Sequence, residues 1–267
     1  MKVKILLLLL GFKLIAQQNN APVKIEYSET IIYTPTIINY YTATLFVQNE
    51  YSYYKTIFQS REKVTQNVDD SDKIMINTTE KEFDEEVFID KKAKQLTENK
   101  NEDIFLKKPF SIVETLPVIK WTLLKGEKKF NNMTCKKAKT TFRGRTYNVW
   151  YTEKIPVSAG PWKLHGLPGL ILLAEDAEGI YKWEVKNIKY PFKENKIDLK
   201  ETYLKRVRYK KLTYREFDNK FIEAVNTKIK IVRSRYLNKE SRMVSFAYNT
   251  LQHKEPVNEW RTQTQFK

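Results

Sequence analysis

Apolar residues in the first part of the chain fall in short β-branched and aromatic runs. Ile31, Ile32 and Tyr33, then Ile37, Ile38, Tyr40 and Tyr41, then Leu45, Phe46 and Val47 predict successive strands between Val23 and Phe58. Pro35 interrupts the first two runs, and Asn49-Glu50 separates 42–48 from 51–58 as a hairpin turn does. From 61 to 86 the composition turns polar and charged, which predicts a loop excursion, and strand-sized runs return at 87–89, 104–106 and 110–113. The clearest period-two alternation lies mid-chain. Ile119, Trp121 and Leu123 share one face; so do Tyr147, Val149 and Tyr151, and Tyr181, Trp183 and Val185. Gly126, Arg143-Gly144 and Ala177-Glu178-Gly179 separate these runs, leaving no room for crossover helices, so the strands form an antiparallel meander. One helix is expected: Thr213-Tyr214-Arg215-Glu216 is a capping box, after which Phe217, Phe221, Ile222, Val225 and Ile229 recur at helical spacing. The fold class is mainly β (α+β), a curved antiparallel sheet or half-barrel with one packed C-terminal helix.

The N-terminus stands apart from this pattern. Lys2 and Lys4 precede an apolar run from Ile5 to Phe12, and Ala16 supplies a small-residue exit, the layout of a secretory signal over 1–16. The run spans about 12 Å as a helix against roughly 30 Å of bilayer core, so no transmembrane segment is expected here or later. The only cysteine is Cys135, far from that exit, so the expected exported protein, periplasmic or secreted, is not a lipoprotein. One β-rich domain over 17–233 and a basic polar tail over 234–267 complete the expected organisation.

Composition narrows the chemistry. One Cys and two His in 267 residues exclude disulfide frameworks and multi-cysteine metal motifs, so no metal and no cofactor is expected. Loss of Lys2, Lys4 and Lys13 with the leader lowers the net charge from +16 to +13. That sign favours an anionic ligand or an acidic patch on an envelope protein, and export argues against nucleic acid. The densest basic run is 205–211, readable as an anion site or as a solvated surface.

Six of the seven glycines lie between Gly126 and Gly179, together with Pro156, Pro161 and Pro168. The segment 155–171, IPVSAGPWKLHGLPGLI, is therefore conformationally constrained every few residues and is neither a plain strand nor a plain helix. Its hexapeptide Gly166-Leu167-Pro168-Gly169-Leu170-Ile171 resembles the signature of the GLPGLI family. Cys135-Lys136-Lys137-Ala138, the run from Thr141 to Tyr147, Trp150-Tyr151-Thr152, Ile155-Pro156 and the run from Gly160 through Pro161 to His165 extend that likeness. The resemblance implies an exported Bacteroidetes envelope protein with no established activity, and it supplies no catalytic residues. The Asn-Pro-Ile-Glu-Leu ending of many members is replaced here by Glu255-Pro256-Val257-Asn258-Glu259.

Individual residues carry alternative readings. His165, beside Trp162, is a candidate base or ligand contact; the plainer reading is a ring that hydrogen-bonds locally to hold a kinked turn. Cys135 is a small core hydrophobe or, paired with His165, a nucleophile. Ser158 lacks the surroundings of a hydrolase elbow. Glu175, Asp176 and Glu178 line an exposed turn or hold a hard cation such as Ca²⁺. Arg143 and Arg145 clamp an anion or pair with acids on a neighbouring strand. Trp121, Trp150, Trp162 and Trp183 either line a concave pocket for an apolar, lipid-like or peptide ligand or fill an aromatic core; Trp121 and Trp183 face inward by phase, Trp150 faces out, and Trp162 at a rim is the leading contact residue. The expected function is a non-catalytic exported binding or accessory protein of the cell envelope. The alternative is a peptidase-like periplasmic hydrolase using His165 with Cys135 or an acidic partner.

Overall fold

The computed structural model describes residues 21–34, 37–63, 74–77, 85–100, 109–130, 132–193, 198–199, 201, 209–236 and 254–255. The expected leader, the run at 104–106, the 205–208 part of the basic run and most of the tail lie outside the described residues.

One open, curved sheet carries the fold. Its first meander is β1 (Val23–Thr34), β2 (Ile37–Gln48) and β3 (Tyr51–Lys63), continued by β4 (Ile74–Asn77), β5 (Glu85–Asp90), β6 (Gln95–Lys100) and β7 (Phe110–Thr115). The second meander is β8 (Thr122–Phe130), β9 (Met133–Phe142), β10 (Arg145–Thr152), β11 (Leu170–Asp176) and β12 (Tyr181–Lys189). A last strand, β13 (Lys210–Thr213), leads into helix α1 (Tyr214–Tyr236). The spatial order is β13-β7-β6-β5-β3-β2-β1-β12-β11-β10-β9-β8, so β1 joins the two meanders by pairing β2 on one edge and β12 on the other. Every pairing between named strands is antiparallel except β13 on β7. That parallel pair departs from the expected antiparallel arrangement, and the whole second meander lies between the two strands in sequence, ample length for a crossover.

The turns follow local chemistry. Asn49 adopts φ 52° between β2 and β3, as the two-residue hairpin requires, and Arg143 (φ 49°) and Gly144 (φ 84°) turn β9 into β10. The capping box forms in full: the Thr213 backbone N–H donates to Glu216 Oε2 at 2.7 Å, and the Glu216 N–H donates to Thr213 Oγ1 at 3.2 Å. Phe217 stacks on Phe110 at 5.1 Å and Phe221 is buried, which seats α1 on the β7 end of the sheet. The side chains of Val225 and Ile229 lie outside the described set.

Two stretches differ from expectation. The polar excursion is shorter than 61–86: β3 runs to Lys63, β4 pairs with it over Ile74–Asn77, and β5 starts at Glu85. Glu85 and Glu86 take strand positions because both are buried with polar partners, Lys254 for Glu85 and the Tyr53 hydroxyl and Asn99 for Glu86. Ile119, Trp121 and Leu123 do not share one buried face. β8 begins at Thr122 and is an outer strand with one neighbour, so Ile119 is buried, Trp121 half-buried and Leu123 exposed.

The core fills the concave face. Ile25, Tyr27 and Ile31 of β1, Leu45 of β2, Tyr147, Val149 and Tyr151 of β10, and Tyr181, Trp183 and Val185 of β12 point inward, alternating with residues on the outer face. On the other face, Tyr53, Phe88 and Leu199 form a smaller cluster.

Candidate functional site

Residues 153–169, between β10 and β11, fold back across the concave face and close it. Short backbone bonds tie the loop to itself: Val157 N–H to Ile155 O, Ala159 N–H to Val157 O and Leu164 N–H to Pro161 O. Ile171 N–H to Ala159 O and Leu170 N–H to Ile155 O tie it to the start of β11. Gly169 stands where a Cβ would lie 2.1 Å from the Thr152 carbonyl oxygen, and at Gly160 it would lie 2.8 Å from Ile171 Cδ1. The glycines are there because backbone or packed side chain occupies the Cβ position, not to lend flexibility. Gly166, at φ 97°, donates its N–H to Ser158 Oγ, which gives that hydroxyl a structural task.

Trp162, expected at a rim, lies inside. It is 1% exposed and stacks parallel to Trp183 at 6.4 Å, with Phe142 and Tyr147 against its other sides. The reason is shape: a curved sheet leaves an apolar hollow, and a left-handed φ of 54° at Trp162 lets the kinked loop place its largest side chain there. The indole Nε1 is buried with no hydrogen-bond acceptor among the described residues. His165 matches the plainer reading, with Nδ1 2.8 Å from the Lys163 carbonyl oxygen and burial pushing its imidazole below the usual histidine value. Trp121 Nε1 donates to the His165 carbonyl oxygen at 2.8 Å, clipping the segment before β8 onto this loop.

Beneath Trp162 lies a layer of charge that the sequence analysis did not anticipate. Lys163 has no exposed side-chain surface, and its ammonium meets Glu98 at 2.7 Å, Glu255 at 3.0 Å and Glu114 at 3.4 Å. Burial opposes its charge, yet these carboxylates hold its pKa above the ordinary lysine value. Arg143 grips Glu114 with both guanidinium nitrogens and also meets Glu255, while its guanidinium carbon sits 4.3 Å from the Tyr214 ring centre. Lys254 binds Glu85 at 2.6 Å and Glu29 at 2.8 Å; the Glu29 carboxylate also accepts the Tyr54 hydroxyl, which in turn accepts Trp183 Nε1–H. Burial favours the neutral form of Glu98 and Glu255, but the surrounding cations outweigh it and hold both carboxyls below their ordinary range. Glu85 moves the other way, raised by burial.

Arg145 is 1% exposed and pairs with Asp176 on the adjacent strand β11 and with Glu178, the cross-strand alternative to an anion clamp. Asp176 therefore departs from the exposed-turn reading: it is buried, and its Oδ1 accepts the Tyr181 N–H at 2.7 Å. Among the described residues no three His, Cys, Asp or Glu converge as a metal would require. Cys135 is buried in the core, its thiol 3.6 Å from the Met133 carbonyl oxygen and pushed up in pKa by burial. Trp150 is half-buried on the outer face, where the Lys137 ammonium lies 5.9 Å from its ring centre. Glu29 and Glu98 carried a readable signal, since each occupies an inward phase of its strand, beside Tyr27 and Ile31 or beside Leu96. Lys254 and Glu255 carried none, because they lie beyond every periodic element.

Residues 47–216, from the end of β2 to the first turn of α1, match the family model described as "N-glycanase peptide, N-terminal domain". The chain belongs to that family. The matched stretch of this N-glycanase N-terminal-domain relative takes in the kinked loop, Lys163, Arg143 and β3 to β13, while β1 and the Lys254-Glu255 pair fall outside it. Two solved structures are similar to the chain, those of PNGF-II in the C2 and P21 space groups. The first shows 15% identity and a TM-score of 0.49, covering 76% of this chain and 33% of that one; the second shows 15% and 0.48, covering 77% and 34%. The chain thus spans about a third of the length of these solved proteins. No curated protein matches it. No helix among the described residues is long and apolar enough to cross a membrane.

Proposed function

We propose that this chain is an exported, non-catalytic accessory domain that contacts glycan-bearing molecules in the cell envelope or outside it. Membership of the N-glycanase N-terminal-domain family supports the glycan-related part of the reading. Its non-catalytic part rests on one observation: the reactive groups expected at a site are buried and structurally engaged. His165 bonds its own loop, Arg143 and Arg145 are locked to carboxylates, and the Cys135 thiol is in the core. The export signal and the GLPGLI motifs support an envelope location.

Contact then falls to the outer face of β8 to β10. Trp150 offers a half-open ring edge with the Lys137 ammonium 5.9 Å from its centre, and Lys139 lies on the same face of β9; β8 to β10 and the turn that follows carry further lysines against only Glu127 and Glu153. An aromatic ring bordered by ammonium groups suits a sugar carrying carboxylate or sulfate. Sialylated and neutral N-glycopeptides titrated into the purified chain test this. The acidic series should bind more tightly, and Trp150→Ala should weaken it about tenfold, the loss of about 1.4 kcal/mol. Equal binding of both series, or release of free N-glycan by the chain alone, overturns the reading.

A further inference from the structure

Lys254 and Glu255 are held in a manner unlike the rest of the fold. They belong to no strand or helix, and among the described residues they are held by side-chain ion pairs, ring contacts, a hydrogen bond between Tyr214 and Glu255, and one bond from the Tyr147 hydroxyl to the Lys254 carbonyl oxygen at 3.3 Å. The two receiving sites have opposite sign. The ammonium enters a cage of two carboxylates, Glu29 and Glu85, and three rings, with its Nζ 5.6 Å from the centre of Trp183, 5.8 Å from Tyr181 and 5.9 Å from Trp162. The adjacent carboxylate enters a cage of two cations, Lys163 and Arg143. Carboxylates with aromatic faces are the chemistry that selects an ammonium, and a lysine beside an arginine is the chemistry that selects a carboxylate. The pair lies nearer the surface than the groups that hold it, although Lys100, which meets Glu85 and Glu98, is more open at 29%. The Lys254 and Glu255 side chains keep 16% and 11% exposure, whereas those of Glu29 and Lys163 keep 1% and 0%.

We propose that the concave face is a binding site for a peptide segment in which lysine is followed directly by glutamate, and that the chain's own Lys254-Glu255 is its resident ligand. The walls come from β1, β5, the β9–β10 turn, β12 and the kinked loop, all separate from the pair itself. Among the described residues neither Lys254 nor Glu255 takes part in a strand pairing, and the groups that hold them form a dipolar slot matched to an ammonium and a carboxylate on neighbouring residues. This inference is independent of the glycan reading, since it concerns the opposite face of the sheet and a peptide.

The test uses the full chain carrying Lys254→Ala and Glu255→Ala together, and a fluorescent peptide of sequence QHKEPVN, residues 252–258. Anisotropy should show binding to the double variant at least tenfold tighter than to the wild-type chain, whose own tail competes, and at least tenfold tighter than that of the order-swapped peptide QHEKPVN. Equal affinity for the two peptides, or no binding to a variant whose circular dichroism matches the wild type, overturns the proposal. Should the double variant not fold, the wild-type chain is acylated with an amine reagent under excess QHKEPVN and mapped by mass spectrometry. Labelling of Lys254 should rise severalfold as the peptide displaces it, and unchanged labelling at millimolar peptide overturns the proposal.

Discussion

Replacing Gly169 with alanine is the sharpest perturbation of the kinked loop. A Cβ at that position would sit 2.1 Å from the Thr152 carbonyl oxygen, 2.7 Å from its carbon and 3.0 Å from Glu153 Cα. All three atoms are backbone, so no side chain can rotate aside, and relief needs a shift of about 1 Å between the end of β10 and the start of β11. Thr152 is paired with Leu170 in that ladder, and Ile171 N–H is bonded to Ala159 O. Overpacking of this kind costs about 1–3 kcal/mol, and weakening one or two of these bonds adds about 1 kcal/mol each, so about 3–4 kcal/mol is expected. Gly179→Ala is the matched control: nothing lies within 4 Å of its Cβ position, and only the φ of 69° resists, at about 1–2 kcal/mol. In a chain of this size, about 2–4 °C accompanies each kcal/mol. Differential scanning calorimetry should therefore give a Tm loss of about 6–16 °C for Gly169→Ala and about 2–8 °C for Gly179→Ala. A Gly169→Ala midpoint equal to or above that of Gly179→Ala would refute the steric account.

Lys163→Met removes the one cation shared by Glu98, Glu114 and Glu255, leaving Lys100 to the first and Arg143 to the other two, and should cost about 3–5 kcal/mol in urea unfolding. A loss below 1 kcal/mol would mean the carboxylates re-pair or take up protons freely. Stability should also respond to pH on both sides of neutrality. Lys163 and Lys254 have folded pKa values above the ordinary 10.5, so their contribution is complete below that pH and is lost as pH climbs through the folded values. Glu98 and Glu255 have folded values below 4.5, so theirs is present above 4.5 and lost as pH falls through the folded values, with Glu85, raised by burial, opposing part of that loss. His165, depressed by burial, lowers stability as pH drops below 6.5. Denaturation midpoints measured from acid to alkali should hold a plateau between about pH 7 and 8.5, above which the unfolded Cys135 thiol, ordinarily at 9.0, ionises before the buried one; a steep change inside the plateau would contradict these assignments.

What the sequence disclosed was local. The Thr213–Glu216 box is a contact between residues three apart, the Asn49 hairpin is a property of two positions, and the inward phase of Tyr147, Val149 and Tyr151 is a property of one strand. All three can be seen without knowing what lies opposite. Trp162 was misplaced because its neighbours Pro161 and Lys163 are the company of an exposed turn; the hollow that receives it exists only after β10 and β12 curve together. The charge layer was hidden for the same reason. Lys163 finds Glu255 92 residues away and Arg143 finds it 112 away, and neither separation leaves a periodic trace. Glu29 was the missed clue, an acid at a position where Tyr27 and Ile31 announce the interior.

The seam at β1 has a consequence for how such a chain comes to be made. Lys24 pairs with Lys189 and Ile31 with Tyr181, so β1, once synthesised, waits for β12 far along the chain before its second edge is satisfied. Until β12 arrives, β1 presents a long row of unmet amide groups, an open invitation to another chain. Crowded synthesis should therefore favour entangled copies, and a helper that shields that early edge would raise the yield of native protein more than one acting on the finished fold.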